Sequence, residues 1–178
     1  MSVFLIILLV LGGFIALLLV VALFVKKEYE IQREIAINKP KLEVFNYVKY
    51  QKNQDHYNKW LMADPHARKS YSGADGTVGF VYAWDSDNKK VGKGEQEITK
   101  VDEGEKLDLE IRFIKPFQDT AQISMATDSV PGNGTRVQWG MRGKNKYPFN
   151  LMHLFIDRML GKDLESSLVN LKAILEKN

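Results

Sequence analysis

Histidine and carboxylate side chains are the possible metal ligands of this chain, which has three histidines and no cysteine. His153 and Asp157 are four residues apart in a segment with helical spacing, which puts both on one face of the predicted helix. A zinc site needs three or four ligands, and this pair has no third partner in the sequence. His56 and His66 stand beside aspartates in predicted loops. The sequence therefore predicts no metal site.

The segment VGKGEQEI, residues 91–98, has two glycines that invite comparison with a nucleotide-binding loop. Such a loop needs a third glycine and a helix start, so that backbone N–H groups converge on phosphate. After Gly94 the chain continues as Glu-Gln-Glu-Ile-Thr, which is typical of a β-strand. Gly92 and Gly94 are therefore interpreted as a dent in a sheet, made for a neighbouring group or for curvature.

Covalent catalysis is not predicted, since the chain has no cysteine and no Gly-x-Ser-x-Gly segment. Ring closure or dehydration would need only a general acid or base near a bound molecule. The candidates for that role are His56, His153, Asp157, Tyr82, Tyr147, Gln96 and Arg142. Each is explained equally well as a surface or hydrogen-bonded structural residue, so no catalytic residue and no cofactor is assigned.

The first part of the chain, residues 3–25, contains no charge and ends at Lys26 and Lys27. A helix of this length measures about 35 Å, enough to cross a hydrocarbon core of about 30 Å. It lacks a basic start and a small-residue cleavage site, which favours an uncleaved anchor over a signal peptide. Because the lysines follow the span, we expect a single-pass protein of the cell membrane with its main domain in the cytoplasm.

The remaining chain carries all the charge, with 25 basic and 22 acidic residues and a net charge of +3. This balance is ordinary for a soluble domain, so nucleic acid is not an expected partner. The length beyond the span suffices for one domain with a full core.

Hydrophobic periodicity predicts the elements of that domain. A strand, residues 29–38, is followed by a helix that begins after Pro40 and by a second short helix that ends near Trp60. Six alternating segments with short turns then predict an antiparallel meander. A final helix runs from about Pro148 to Lys177, with an expected bend at Gly161.

This order, together with the phrases VGKGEQEI, LEIRFIKPF, GTRVQWGM and MLGKDLESSLVNLKAILE, resembles the START-like helix-grip (SRPBCC) superfamily and its polyketide cyclase/dehydrase-like branch. The resemblance covers residues 28–177. It implies an α+β fold with a curved antiparallel sheet of about seven strands around a long C-terminal helix. The domains are accordingly a transmembrane anchor, 1–27, and a START-like domain, 28–178.

The resemblance also implies a cavity between the sheet and the final helix. Its expected walls are the strand residues Gly92, Gly94, Gln96, Tyr82 and Trp84 and the helix residues Met152, Phe155, Ile156 and Met159, with Trp60 near the opening. The expected partner is a hydrophobic small molecule or a lipid, bound without chemistry. A cyclase or dehydratase that uses a polar cavity residue, and an interaction module with a filled interior, remain open alternatives.

Overall fold

The computed structural model describes residues 2–177. Its helices are α1 (Val3–Phe24), α2 (Lys41–Lys49), α3 (Gln54–Tyr57), α4 (Lys59–Met62) and α5 (His153–Glu176). Its strands are β1 (Glu28–Ile37), β2 (Arg68–Ser72), β3 (Val81–Asp85), β4 (Lys93–Asp102), β5 (Lys106–Lys115), β6 (Asp119–Val130) and β7 (Gly134–Lys144). Short 3-10 turns, Gln51–Asn53 and Phe149–Met152, precede α3 and α5.

The strands form one sheet in the order β1-β7-β6-β5-β4-β3-β2. Every neighbouring pair is antiparallel, as short links between consecutive strands require. Only β1 pairs out of sequence order, because the short helices separate it from the meander and it returns to the free edge of β7. The predicted α+β class with about seven antiparallel strands and a long C-terminal helix is confirmed.

The inner face of the sheet is apolar and is covered by α5 and the short helices. Four leucines of α5 are buried at helical spacing: Leu164, Leu168, Leu171 and Leu175. Burial of side chains of this size contributes roughly 1.5 to 3 kcal/mol each, so this half of α5 holds the helix on the sheet. On the strands the buried residues alternate with exposed ones, as a sheet with one covered face requires.

The first half of α5 is different from its second half. Met152, Phe155 and Met159 are more than half exposed, whereas Ile156 and Leu160 are partly buried against the core. The sequence stripe of Met152, Phe155, Ile156 and Met159 therefore does not form one wall against the sheet. Ile156 and Leu160 lie at intervals of four residues in line with the buried Leu164, whereas Phe155 and Met159 are each offset from that line by one residue, about 100° around the helix.

Gly161 occupies the middle of α5 without interrupting the helix. The guanidinium group of Arg33 lies where a Cβ at this position would stand. Arg33 also forms a salt bridge with Asp157 at 3.0 Å. The glycine thus admits an arginine side chain between β1 and α5, a role that the predicted bend did not include.

The outer face of the sheet carries polar side chains in register. One row crosses five strands and consists of Glu97, Glu110, Gln122, Arg142 and Glu30. Arg112 lies beside this row and contacts Glu95, Glu97 and Glu110 at 2.7 to 2.8 Å. This face is polar enough to be in contact with solvent, and many of the polar groups on it pair with one another.

Candidate functional site

A cavity of about 370 Å³ lies on the inner face, beneath α4 and the start of α5. Its volume falls at the lower end of the range for small-molecule pockets. The walls come from α4, β3 to β7 and α5, and they comprise Asn58, Trp60, Leu61, Trp84, Lys90, Val91, Gln96, Ile111, Phe113, Lys115, Pro116, Phe117, Asp119, Ile123, Trp139, Met141, Met152 and Leu160. Most of these side chains are apolar, so the site is suited to a mainly hydrophobic molecule.

Four of the residues that the sequence nominated lie on these walls: Trp60, Trp84, Gln96 and Met152. Six do not: Tyr82, Gly92, Gly94, Phe155, Ile156 and Met159. The six are nevertheless close in the chain to wall residues. Two of them, Gly94 and Tyr82, support the wall without lining it. All six stay predictions for ligand contact, as do the four on the walls.

Gly94 acts on the cavity through Trp84. The two residues are directly opposite each other on β4 and β3. A Cβ on Gly94 would lie 2.6 Å from Cζ2 of the Trp84 indole and 2.8 Å from the backbone oxygen of Arg112. The dent in the strand is thus filled by an indole ring, and that ring forms part of the cavity wall.

Gly92 has a separate function in the backbone. Its φ of 65° is in the left-handed region, which glycine adopts without steric cost. The carbonyl of Lys115 lies where a Cβ would stand, so the β3–β4 connection touches the end of β5 there. This contact accompanies a register shift between Lys93 and Gly94. Gly92 therefore permits this close backbone contact at the end of β5 and does not line the cavity.

All three tryptophans of the chain line the cavity. Trp60 is partly buried, whereas Trp84 and Trp139 are 6% and 1% exposed. Trp84 donates its indole N–H to the carbonyl of Val91 at 3.3 Å. The indole N–H of Trp139 has no acceptor among residues 2–177. Tryptophan fluorescence is thus an internal reporter of what occupies this space.

Four buried amide side chains lie behind one wall of the cavity. Gln51, Gln54, Asn58 and Gln96 are all at most 7% exposed. Gln51 accepts from Gln54 at 2.5 Å and from Gln96 at 3.3 Å, and Asn58 donates to Gln54 at 2.8 Å. Two members of this amide chain, Asn58 and Gln96, line the cavity. They bring polar groups to walls that are mostly apolar.

Tyr82 does not line the cavity but packs behind its walls. Its side chain is fully buried, and its hydroxyl donates to Oδ1 of Asp55 at 2.5 Å. Lys69 pairs with the same carboxylate at 2.9 Å. Burial, and then this hydrogen bond, raise the pKa of Tyr82 far above its ordinary value. The phenol is therefore a fixed donor and is not poised to exchange a proton near neutral pH.

Most of the nominated acid and base residues lie outside the cavity walls. His56, Tyr147, Arg142, His153 and Asp157 are absent from them. Asp157 pairs with Arg33, and both ring nitrogens of His153 have other partners, so these two residues of one predicted helix face do not contact each other. In the part of the chain that the structure describes, no group of three or more metal-binding side chains occurs.

His153 connects the domain to the end of α1. One ring nitrogen lies 2.8 Å from the carbonyl of Lys26, and the other lies 2.8 Å from Oδ1 of Asn145. Asn145 also donates its side-chain amide to Asp119, a cavity residue, at 3.1 Å. Its backbone N–H donates to the carbonyl of Lys27 at 2.9 Å. Asp119 is thus only two hydrogen bonds away from the segment that follows α1.

Asn150 provides a second connection to α1. Its side-chain amide donates to the carbonyls of Ala22 and Val25 at 2.7 and 2.8 Å. The last carbonyls of a helix lack intrahelical partners, so Asn150 caps the C-terminus of α1. Asn150 is fully buried, and Met152, two residues later, lines the cavity. The cavity wall at Met152, an exposed residue, is therefore close to the end of the apolar helix.

A larger depression of about 490 Å³ lies on the outer face of the sheet. It is lined by residues such as Glu30, Lys106, Asp108 and Arg142, which are solvated or paired with one another. Lys106, for example, contacts Asp108 at 2.8 Å. This groove offers neither an apolar wall nor an unpaired buried group, so the inner cavity is the better candidate site.

Sequence reasoning missed several wall residues, and one pattern would have found some of them. Phe113 and Ile111 lie on the buried side of β5, in register with Gly94 and Gln96 on β4. Extending the inner row across the sheet from the two nominated β4 residues leads to them directly. Phe117 follows the Lys115-Pro116 break, and nothing in its local sequence places it at a cavity.

Solved structures share this architecture at low sequence identity. Norcoclaurine synthase from Thalictrum flavum, in truncated form, superposes with a TM-score of 0.65 at 9% identity, covering 85% of this chain and 95% of that one. Ara h 8.0201 superposes with a TM-score of 0.59 at 12% identity, covering 85% and 99%. DynU16, from the dynemicin biosynthetic locus, gives 0.58 at 14%, covering 83% of this chain and 47% of that one.

Sequence comparison adds no closer assignment. No protein-family model matches the chain, and no curated protein matches it significantly. Identities of 9 to 14% establish a shared fold and nothing about activity. The seven-stranded antiparallel sheet, the long C-terminal helix and these structural neighbours together show a START-like helix-grip fold.

Proposed function

We propose that this protein is a membrane-anchored helix-grip domain that binds a hydrophobic small molecule or a lipid between its sheet and α5. The observation that carries the proposal is a mostly apolar cavity with an exposed wall residue, Met152, close to the end of α1. In this proposal residues 1–27 form the anchor and residues 28–178 form the binding domain. The motif phrases support placing that domain in the polyketide cyclase-like branch.

The membrane part of the proposal rests on α1. It has 22 residues, is long and apolar enough to cross a membrane, and is exposed along almost its whole length. Only Ala22 of this helix is buried in the protein. A single-pass orientation with the binding domain in the cytoplasm agrees with the lysines at 26 and 27.

Exposed apolar side chains around the opening support uptake from the bilayer. Phe117 and Met152 line the cavity and are 80% and 56% exposed. Phe149, Phe155 and Met159, from the same turn and the first half of α5, are also mostly exposed. Contiguous apolar surface of this kind marks interaction sites. With α1 in the bilayer, these side chains lie at the level of the headgroups, where a lipid tail reaches the opening.

A structural relative supports a small-molecule occupant. Norcoclaurine synthase has also been solved in complex with dopamine and hydroxybenzaldehyde, and that structure superposes with a TM-score of 0.65 at 9% identity, covering 85% of this chain and 88% of that one. A helix-grip protein can therefore hold small organic molecules. Transfer of this property to the present chain belongs to the proposal.

Quenching of tryptophan by brominated lipid tests the proposal directly. The full chain is placed in nanodiscs of dibrominated phosphatidylcholine, with unbrominated lipid as the reference. A Trp60→Phe variant leaves only Trp84 and Trp139, which are nearly inaccessible from outside. We expect loss of about half of their fluorescence, because bromine quenches at contact and contact requires an acyl chain in the cavity.

Two matched variants separate cavity occupancy from contact with the membrane. Leu160→Gln puts a polar group on the cavity wall, whereas Val169→Gln changes an exposed position of the same helix. Only the first should reduce quenching and reduce the apolar material recovered by solvent extraction and mass spectrometry. If the protein shows no quenching, and neither extraction nor titration finds any apolar ligand, the proposal is wrong.

An enzyme of cyclase or dehydratase type is the second candidate. One observation favours it: Lys115 and Asp119 place an ammonium and a carboxylate on the cavity wall. A general acid or base needs such proximity to a bound molecule. Asp119→Asn would then abolish a product detected in cells while ligand binding persists. An unchanged product would exclude this role for Asp119.

A further inference from the structure

The amide chain behind the cavity has a fixed direction. Nε2 of Gln51 lies 3.3 Å from the carbonyl of Val48 and 3.2 Å from the carbonyl of Lys49. Carbonyl oxygens only accept, so this end of the Gln51 side chain must be its NH₂ group. The opposite atom, Oε1, is therefore the acceptor, and Gln54 and Gln96 must both turn their NH₂ groups towards it.

The other end of the chain requires the same direction. The backbone N–H of Trp60 donates to Oδ1 of Asn58 at 3.0 Å. Asn58 must therefore present its NH₂ group to Oε1 of Gln54, as it does at 2.8 Å. Backbone groups at both ends thus specify every amide orientation. Flipping any member would place two donors or two acceptors against each other.

This direction leaves one acceptor without a donor. Gln96 uses its NH₂ group on Gln51, and none of the hydrogen bonds within residues 2–177 reaches its Oε1. The side chain is only 3% exposed and lies on the cavity wall. Covering this carbonyl with a molecule that offers no donor costs about 1 to 3 kcal/mol, so a donor on the ligand is worth a measurable amount of affinity.

We infer that the ligand is an uncharged apolar molecule with one hydroxyl group, which donates a hydrogen bond to Oε1 of Gln96. The inference rests on the proposed function and specifies the class of molecule that the same cavity takes. Hydrocarbon contacts from Ile111, Phe113 and Leu160 receive the body of the molecule. Trp139, whose buried N–H lacks an acceptor, is a further polar group on these walls.

Two isomers that differ only in the hydroxyl group test this inference. 1-Dodecanol and undecyl methyl ether have the same atoms, but only the alcohol can donate a hydrogen bond. Each is titrated into the full chain in nanodiscs, and the fluorescence of the three cavity tryptophans is followed. We expect the alcohol to bind about tenfold more tightly than the ether, which corresponds to one hydrogen bond to a buried group.

Gln96→Met should remove this preference, because methionine keeps the length of the side chain and offers no carbonyl. Gln122→Met, the same change on the exposed face of β6, should retain it. Circular dichroism and thermal unfolding show whether each variant is folded. If Gln96→Met does not fold, the comparison of the two isomers on the unaltered protein still decides.

The outcomes distinguish this inference from the proposed function. Equal binding of alcohol and ether to the unaltered protein overturns the hydroxyl assignment and leaves the apolar ligand site standing. A tenfold preference that survives in Gln96→Met also overturns it, since the donor would then be recognised elsewhere. Binding of neither isomer, together with no retained lipid, contradicts the proposed function itself.

Discussion

The same strands form both faces of the sheet, but polar groups are paired on the outer face and are partly unpaired on the inner face. On the outer face Arg112 contacts three carboxylates, Glu95, Glu97 and Glu110, and no charge is left deeply buried. On the inner face Gln96 retains an unused carbonyl and Trp139 retains an unused N–H. A protein satisfies nearly all buried polar groups, so exceptions indicate where a partner is missing.

This difference between the two faces indicates where the functional site lies in a fold that is shared by proteins with many different functions. The outer groove is larger, but its polar groups have each other or water as partners. The inner cavity is smaller and combines apolar walls with polar atoms whose orientation is imposed from behind. Preorganised groups of that kind are what a selective binding site requires.

The largest expected effect comes from Gln51→Leu, compared with Gln122→Leu on the outer face. The side chain of Gln51 makes four hydrogen bonds at a fully buried position. Its loss therefore leaves two carbonyl groups and two amide groups without this partner. We expect a loss of about 3 kcal/mol in unfolding free energy, measured by urea denaturation. Gln122 is exposed, and the same change there should stay within about 0.5 kcal/mol. Similar losses at both positions would contradict the contrast between the faces.

Gly94→Ala, compared with Gly140→Ala, gives the next effect. A Cβ at Gly94 would meet the Trp84 ring and the Arg112 carbonyl below 3.0 Å. Overpacking of this kind costs about 1 to 3 kcal/mol and would push the Trp84 indole into the cavity. At Gly140 the nearest atom is the rotatable hydroxyl of Ser124, at 3.1 Å. Thermal unfolding and tryptophan emission should therefore change for Gly94→Ala and hardly change for Gly140→Ala.

Element order and topology were predictable from the sequence because periodicity records which face of each element is buried. β4 and β5 alternate in the sequence as they alternate in burial. The meander followed from short turns, and the long C-terminal helix from its leucine spacing. These features depend on neighbours within a few residues, which a sequence displays.

The walls of the cavity were less predictable because they depend on distant contacts. Gly94 was expected to line the cavity, yet the indole of Trp84 from the neighbouring strand lies against it and lines the cavity in its place. Phe155 and Met159 were nominated from their stripe, but the neighbouring pair Ile156 and Leu160 faces the core instead and leaves them exposed. The amide chain joins the 3-10 turn before α3 to β4 across 45 residues, and no local sequence pattern predicts such a hydrogen bond.

Asn150→Ala tests whether the opening of the cavity is held at the end of α1. The change removes two hydrogen bonds, to Ala22 and Val25, worth about 1 kcal/mol each. Hydrogen exchange of the full chain in nanodiscs should become faster in residues 20–30 and 147–155, while the sheet stays protected. Asn38→Ala, at an exposed position of the same residue type, is the control. Unchanged exchange would mean that the anchor and the opening are not coupled through Asn150.

Arg112→Met, the smallest effect, shows how little the outer network contributes. Its hydrogen bond to Glu110, and then that of Gln122, hold the pKa of Glu110 below its ordinary value. A carboxyl with a lowered pKa stabilises the fold above its unfolded pKa of about 4.3, and this contribution disappears as pH falls through the folded value. Because all four side chains are about one-third exposed, we expect a loss of at most about 1 kcal/mol at pH 7.

The same variant should lose less stability relative to the unaltered protein at acidic pH than at pH 7, because the contribution of Glu110 disappears from the unaltered protein as pH falls through its lowered pKa. Urea unfolding at the two pH values measures this difference. Ligand binding, followed by the cavity tryptophans, should not change at pH 7, since Arg112 faces away from the cavity. A loss of binding without a loss of stability would show that charge on the outer face controls the inner one. The separation of roles between the two faces would then have to be abandoned.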